Sequence, residues 1–175
     1  MKFSNVMIDL ETMGTNNNSA IIAIGAVAFD IETGELGSHF YQTIDLIDSV
    51  SNGGIIDAST VLWWMKQSEE ARKEFERPAN YEVESLIDFA NYLDRNSFTD
   101  DVKVWGNGAS FDNVILTNAY RRCGEQLPWK YYNDRCYRTM KNLAPHIKME
   151  REGTHHNALA DAISQAKHLI RIMAK

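Results

Sequence analysis

The chain has 175 residues, 44% hydrophobic content, three prolines and a formal net charge of −6. This is enough apolar material for one domain with a sizeable core, and no Gly/Ser-rich or low-complexity stretch indicates a linker, so we expect a single domain over residues 1–175. No apolar run approaches the roughly 18 residues of a membrane span. The N-terminus also lacks the charged-then-apolar layout of a signal peptide, so we expect a soluble cytoplasmic protein without a membrane partner.

The charge is unevenly distributed along the chain. Residues 1–116 carry 7 Lys/Arg and 19 Asp/Glu, a balance of −12, whereas residues 117–175 carry 11 and 5, a balance of +6. This asymmetry favours an acidic half that holds cations and a basic half that meets phosphates. Charges spread over solvated faces explain the same numbers equally well.

Three strands are predicted at the start of the chain. Residues 5–10 and 21–30 are apolar runs, and residues 32–35 have the composition of a hairpin turn that leads into a third strand over 38–44. Because the connections are short, we expect these strands to pair as an antiparallel meander.

Helical signals follow the third strand. Ser59 is a candidate N-cap for a helix over 60–67, and Ser68 begins a second helical piece that extends to residue 75. Apolar residues then recur at the spacing of one helical face from Val83 to Leu93, which predicts an amphipathic helix.

The second half of the chain alternates strands and helices. Residues 102–105 are a short apolar run before a Gly-Asn-Gly turn, and Ser110 is a candidate N-cap for a helix over 111–122. Residues 131–137 are strand-like but polar, which is typical of an edge strand, and an apolar stripe over 157–174 predicts a long last helix. This order of elements predicts an α/β protein with an RNase H-like, mixed five-stranded sheet flanked by helices.

Asp9 and Glu11 are the first residues that point to chemistry. They are two positions apart at the end of the first strand, so their side chains lie on the same side of it. Two carboxylates this close repel each other unless a cation lies between them. Taken alone, the pair is also explained as solvent-facing charge at a strand end.

Further acidic and imidazole groups occur at two helix starts. Asp112 follows the Gly-Asn-Gly turn in the first turn of a helix, where capping is one explanation and a functional group at a strand–turn–helix junction is the other. His156 and Asp161 stand five residues apart at the head of the last helix. His155 is the competing base, and residue chemistry alone does not rank the two histidines.

The groups named so far match one class of reaction. A two-metal phosphodiester hydrolase needs anionic oxygens for two divalent cations and one base that titrates near neutral pH. Four carboxylates and one histidine supply them. Oxygen ligands favour Mg²⁺ or Mn²⁺ over zinc.

Three tracts carry a family resemblance. The tracts Met-Ile-Asp-Leu-Glu-Thr, Gly-Asn-Gly-Ala-Ser-Phe-Asp-Asn and His-Asn-Ala-Leu-Ala-Asp-Ala resemble the DEDDh, or DnaQ-like, 3′→5′ exonuclease superfamily, and the resemblance covers nearly the whole chain. Residues 60–64, Thr-Val-Leu-Trp-Trp, resemble a narrower branch. That branch contains the exonuclease VIII-like and small bacterial and phage 3′–5′ exoribonucleases.

The resemblance implies a ligand set and a base. The ligands of two Mg²⁺ or Mn²⁺ ions would be Asp9, Glu11, Asp112 and Asp161, with Asp9 bridging both ions and Glu11 beside the attacking water. His156 would be the general base, since it stands five residues before Asp161 whereas His155 does not. The implied reaction releases 5′-mononucleotides from the 3′ end of single-stranded RNA or DNA, and the resemblance makes a homodimer plausible.

Substrate contacts are also expected. The candidates are Leu10 and Thr12 for the terminal nucleotide, Trp63, Trp64 or Phe111 for base stacking, and Arg138, Arg135 or Lys141 for phosphate. Adjacent tryptophans cannot share one helix face, so at least one of the pair belongs to the core. A stacked base contributes roughly 1–3 kcal/mol to binding.

Two other functions stay open. A small-nucleotide hydrolase or an endonuclease on the same fold would not depend on a free 3′-OH. A non-catalytic nucleic-acid-binding module would tolerate loss of a metal ligand or of the histidine, yet all five residues are present.

Overall fold

A five-stranded sheet lies at the centre of the protein in a computed structural model that describes residues 1–98, 100–153 and 156–174. Its strands are β1 (Asn5–Thr12), β2 (Ile21–Phe29), β3 (Leu36–Thr43), β4 (Lys103–Gly106) and β5 (Asp134–Cys136). They lie side by side in the order β3-β2-β1-β4-β5. The pairs β1–β2 and β2–β3 are antiparallel, whereas β1–β4 and β4–β5 are parallel. The predicted meander and the mixed five-stranded sheet are confirmed.

Helices cover both faces of this sheet. The helices of the described ranges are α1 (Leu46–Ser51), α2 (Ala58–Trp64), α3 (Glu69–Arg72), α4 (Glu82–Asn96), α5 (Asp112–Arg122), α6 (Tyr137–Leu143) and α7 (Ala158–Met173), with 3₁₀ turns at Lys73–Glu76 and Tyr131–Asn133. No helix in these ranges is both long enough and apolar enough to cross a bilayer.

The central strand β1 sends alternate residues into two cores. Ile8 and Leu10 pack in the cluster that holds the apolar faces of α4 and α5. Met7 packs on the other side with Ala162 and Leu169 of α7. Because side chains alternate along a strand, Asp9 and Glu11 share the α7 side with Met7. The sheet therefore presents both carboxylates to the helix that carries Asp161.

A glycine in β2 allows α7 to lie directly on the sheet. Gly25 pairs with Asp9 across the β1–β2 ladder. A Cβ atom at Gly25 would lie 2.2 Å from the backbone carbon of Ala158 and 2.3 Å from the backbone nitrogen of Leu159. The absence of a side chain therefore allows the first turn of α7 to approach the strand position next to Asp9.

The region after α5 differs from the prediction. The strand expected over 131–137 is a 3₁₀ turn, Tyr131–Asn133, followed by the three-residue strand β5 and then by α6. Among the described strands, β5 pairs with β4 alone and forms a sheet edge, which explains its polar composition. The sequence did not indicate α6 or α1, since both are short and lack a clear apolar stripe.

Two of the predicted N-caps are wrong and one is confirmed. Ser59 lies inside α2, and Ser110 lies before the actual N-cap of α5, Phe111. The N-cap position of α2 is Asp57, whose carboxylate accepts instead from the backbone N–H of Thr15 at 3.0 Å. Ser68 caps α3 as expected, with its hydroxyl accepting from the N–H of Ala71. The Asp57 side chain therefore binds the loop between β1 and β2 and does not cap α2.

Candidate active site

The predicted site residues border one cavity of about 490 Å³ at the carboxyl end of β1. The cavity is lined by Asp9, Glu11, His156 and Asp161 among others. Asp112 lies directly behind it, where its Oδ1 accepts a hydrogen bond from the backbone N–H of Leu10 at 3.2 Å. Because β1 and β4 are parallel neighbours, their carboxyl ends lie together, as ligand sites in α/β sheets generally require.

Glu11, His156 and Asp161 lie close together in the cavity. One potential ligand atom from each lies within 4.8 Å of the other two. His156 adopts a left-handed backbone conformation, with φ of 63°, and its N–H donates to Oδ2 of Asp161 at 3.1 Å. A non-glycine residue in this region is costly and is often found at functional sites. The backbone turn therefore holds the imidazole and the aspartate together.

The ring of His156 is packed against aromatic side chains. Its centroid lies 4.8 Å from that of Trp63 and 6.1 Å from that of Trp64, both edge to face. The His155 alternative lies outside the described residues. Of the two histidines, His156 is the one that the structure describes beside the carboxylates.

Asp112 has a carboxylate oxygen with no partner. Its side chain is 2% exposed, and Oδ2 is buried without a hydrogen bond among the described residues. Burial raises the pKa of Asp112 to about 7, although backbone N–H donors oppose the shift. A Cβ at Gly106 would lie 2.3 Å from Oδ1 of Asn113 and 2.9 Å from the Cβ of Asp112, so a glycine is needed there. A buried oxygen without a donor is the kind of group that a cation would satisfy.

Asp9 and Glu11 are destabilised as anions. Burial raises the pKa of Asp9, and the negative charges of Asp112, Glu11 and Asp161 raise it further. Burial also raises the pKa of Glu11 to about 8, with additional repulsion from Asp161 and Glu74. The Nε2 of Gln165 donates to Oδ1 of Asp9 at 2.7 Å, which offsets part of this cost.

Three residues of the site were not found by sequence reasoning. Nη1 of Arg151 lies 2.5 Å from Oδ1 of Asp161. Buried Glu74 accepts from Nδ2 of Asn157 at 2.9 Å, and Oδ1 of Asn157 in turn caps α7 by accepting from the N–H of Ala160. Arg151 lies in a non-periodic segment, and Glu74 belongs to no motif. The third residue, Gln165, stands four positions after Asp161, and that spacing is the one signal available to a sequence analysis.

The predicted substrate contacts divide into two groups. The residues that line the cavity are Leu10, Thr12, Trp63, Trp64 and Phe111. Trp64 is only 3% exposed and its Nε1 donates to the carbonyl of Thr12 at 3.0 Å, whereas Trp63 is 42% exposed. Trp64 is therefore the core member of the pair, and Trp63 is the one available to a ligand.

The basic candidates lie at different distances from this cavity. Nη2 of Arg138 donates at 2.6 Å to the carbonyl of Asn107, which lines the cavity, so Arg138 borders it from behind. Arg135 donates to the carbonyls of Tyr132 and Asp134. Lys141 lines a separate depression with His168 and was not brought to the site.

Comparison with known proteins agrees with this architecture. The model of the 3′-5′ exoribonuclease Rv2179c-like domain matches residues 4–173. An exodeoxyribonuclease of Enterobacteria phage T4 is 33% identical over 125 residues, which are 66% of this chain and 55% of the phage enzyme. The chain therefore matches little more than half the length of that relative.

Solved structures share the fold at low identity. The nuclease domain of 3′hExo, a DEDDh family member bound to rAMP, has a TM-score of 0.60 and 13% identity, over 95% of this chain and 90% of that one. Pop2p of S. pombe, in a form with Mg²⁺ and Mn²⁺ bound, has a TM-score of 0.61 and 16% identity, over 97% and 82%. The chain belongs to the Rv2179c-like family of 3′-5′ exoribonuclease domains and shares its fold with a DEDDh nuclease domain.

Proposed function

We propose that this chain removes 5′-mononucleotides one at a time from the 3′ end of single-stranded RNA or DNA, with two divalent ions, Mg²⁺ or Mn²⁺, as cofactors. The observation that carries the proposal is a cavity lined by the carboxylates of Asp9, Glu11 and Asp161 and by His156, with buried Asp112 directly behind it. Burial and neighbouring negative charges raise the pKa of Asp9 and of Glu11. Buried like charges at such density are unfavourable without cations. Family membership supports the same activity.

The donor set fits two hard cations. Asp9, Glu11 and Asp161 face the cavity, and Asp112 has a buried oxygen without a partner among the described residues. Asp9, Glu11, Asp112 and Asp161 would together hold the two ions. Carboxylate oxygens without thiolates favour Mg²⁺ or Mn²⁺. When bound, the ions supply positive charge that stabilises the attacking and leaving oxygens of an in-line displacement.

His156 is the proposed general base. Its imidazole lies close enough to Glu11 and Asp161 to accept a proton from a water molecule held beside them. Trp63 packs edge to face against the ring and limits its rotation. The unusual backbone of His156 and its N–H bond to Asp161 fix the position of this residue relative to the helix.

The remainder of the cavity suits a nucleotide. A volume of about 490 Å³ falls within the range of small-ligand sites, roughly 300–1,000 Å³. Half-exposed Trp63 and partly buried Phe111 offer aromatic faces for a base, and Leu10 and Thr12 lie next to the carboxylates. A terminal nucleotide would therefore be held by stacking on one side and by its phosphate on the other.

The sugar preference needs a direct test. Strands of equal sequence in RNA and in DNA, labelled at the 5′ end and carrying a free or a blocked 3′-OH, are incubated with Mg²⁺ or Mn²⁺. The proposal predicts a ladder that shortens by one nucleotide at a time from the free 3′ end and disappears in EDTA. Cuts that ignore the blocked end would instead indicate an endonuclease, and cleavage of free nucleotides alone would indicate a small-nucleotide hydrolase.

Asp9→Asn is the matched control for this assay. The amide keeps the shape of the side chain and removes one negative charge, so the fold should persist while hydrolysis is lost. Hydrolysis by this variant with ordinary metal dependence would contradict the proposal. A homodimer and a cytoplasmic location stay predictions, and the mass of the protein in solution tests the first.

A further inference from the structure

Arg151 brings a positive charge into the acidic cavity. Among the described residues that line it, Arg151 is the one lysine or arginine. Its Nη1 donates to Oδ1 of Asp161 at 2.5 Å, and its side chain is 48% exposed. The guanidinium therefore binds the Asp161 carboxylate through Nη1, while the rest of the side chain is accessible from the cavity.

Asp161 has both oxygens engaged. Oδ1 accepts from Arg151, and Oδ2 accepts from the backbone N–H of His156 at 3.1 Å. The same carboxylate belongs to the group of potential ligand atoms that Glu11 and His156 complete. A divalent ion on Asp161 and a guanidinium on the same carboxylate would repel each other, because both carry positive charge. An ion that binds here must therefore compete with Arg151.

The segment around Arg151 contacts α7 on both sides of the arginine. Glu150 pairs with Arg171 of α7, and Glu152 pairs with Lys167 at 2.5 Å. The N–H of Glu152 also donates to Oγ of Ser164 at 3.0 Å. The backbone N–H of Glu152 thus binds α7, while the side chain of Arg151 extends into the cavity.

We propose that Arg151 exchanges between two anions during the reaction cycle. Without divalent ions it neutralises Asp161, and once an ion occupies that carboxylate it turns to the phosphate of the terminal nucleotide. A planar guanidinium binds carboxylate and phosphate oxygens equally well through paired N–H donors. Arg151 is thereby a substrate-binding residue: it pairs with Asp161 when that carboxylate holds no ion and with the substrate phosphate when it does. The inference rests on the metal site of the proposed function.

Direct binding measurements test the exchange without turnover. Calorimetric titration with Mn²⁺, in the absence of nucleotide, should show about tenfold tighter binding in Arg151→Gln than in the unmodified protein, because the competing charge is removed. Titration with adenosine 5′-monophosphate at saturating Mn²⁺ should show binding weakened by about tenfold or more, the scale of a charge-assisted hydrogen bond. Arg151→Lys should fall close to the unmodified protein in the Mn²⁺ titration.

Arg171→Gln is the matched control. It removes an arginine that ties the same segment to α7 but lies outside the cavity, so both affinities should be unchanged. The exchange would be overturned if Arg151→Gln bound Mn²⁺ no more tightly than the unmodified protein, or if it bound adenosine 5′-monophosphate equally well. It would also be overturned if Arg171→Gln showed the same changes. If the unmodified protein bound no Mn²⁺, both the proposed function and the inference about Arg151 would fail. Mn²⁺ binding that Arg151→Gln leaves unaltered would remove this inference alone.

Discussion

Replacing Gly25 with alanine should disable the site without touching any residue in it. The added Cβ would lie 2.2 Å from the backbone carbon of Ala158, and ordinary contact begins at 3.4 Å, so the start of α7 must move by about 1.2 Å. Since backbone rather than a flexible side chain blocks the space, the helix must shift as a unit. Asp161 and Gln165 move with it, away from Asp9.

The magnitude follows from this displacement. Misplacement of catalytic groups by about 1 Å commonly costs on the order of 10²-fold in rate, and overpacking costs about 1–3 kcal/mol of the free energy of unfolding. We expect Gly25→Ala to lose about two orders of magnitude in nuclease activity. Its affinity for Mn²⁺ should fall as well, because Asp9 and Asp161 are carried by different elements. Thermal unfolding and single-turnover hydrolysis measure the two effects separately.

Gly37→Ala separates loss of geometry from loss of stability. A Cβ at Gly37 in β3 would lie 2.3 Å from the ring of Phe3, a core contact that belongs to a different part of the sheet. This variant should lower the free energy of unfolding but retain the rate per folded molecule. The reasoning is refuted if Gly25→Ala keeps full activity and stability, or if Gly37→Ala loses as much activity per folded molecule.

Three further predictions concern charge, base and stacking. Burial raises the pKa of Glu11 from 4.5 to about 8 and that of Asp112 from 3.8 to about 7, so the folded protein in EDTA holds protons that the unfolded chain releases. Its free energy of unfolding should therefore fall as pH rises from 4.5 to about 8, and calorimetry showing a rise would contradict this. His156→Ala should slow single-turnover hydrolysis per folded molecule by roughly two to four orders of magnitude, and the folded fraction is measured separately because the imidazole also packs against Trp63 and Trp64. Trp63→Ala should weaken nucleotide binding by roughly 1–3 kcal/mol, whereas Trp64→Ala should cost about 3–5 kcal/mol of stability in a denaturant titration.

Local patterns were sufficient for the parts of the fold with a regular period. The apolar runs of β1 and β2 predicted strands, and the stripe of α7 predicted its length within a residue or two at each end. The adjacency of Trp63 and Trp64 predicted that at least one belongs to the core, and Trp64 is buried. These inferences succeeded because each depends on neighbours within a few positions.

Contacts between distant segments could not be found in this way. Glu74 and Asn157 are 83 positions apart, and their hydrogen bond exists only because the turn after α3 reaches the start of α7. Arg151 pairs with Asp161 across an irregular segment that has no periodicity. The N-cap expected at Ser110 was also wrong, since α5 begins one residue later, at Asp112, whose Oδ1 accepts from the N–H of Leu10 in the distant strand β1.

The four site carboxylates differ in how many of their negatively charged oxygens have a partner within the protein, and the proposed ions would neutralise the rest. Gln165 donates to Asp9, and the N–H of Leu10 donates to Asp112. Asp161 receives both Arg151 and the N–H of His156, so both of its oxygens have a partner. For Glu11, every contribution to its pKa shift acts in the same direction, towards the neutral form.

This unequal compensation has a consequence for the order of metal binding. An ion that binds between Glu11 and Asp161 must displace Arg151, whereas an ion on Asp112 meets an oxygen without a partner among the described residues. The two sites should therefore differ in affinity, with the Asp112 side occupied first. In Arg151→Gln the difference in affinity between the two sites should be smaller, because no guanidinium competes with the ion for Asp161. A Mn²⁺ titration of the unmodified protein that fits two equal sites would contradict this order.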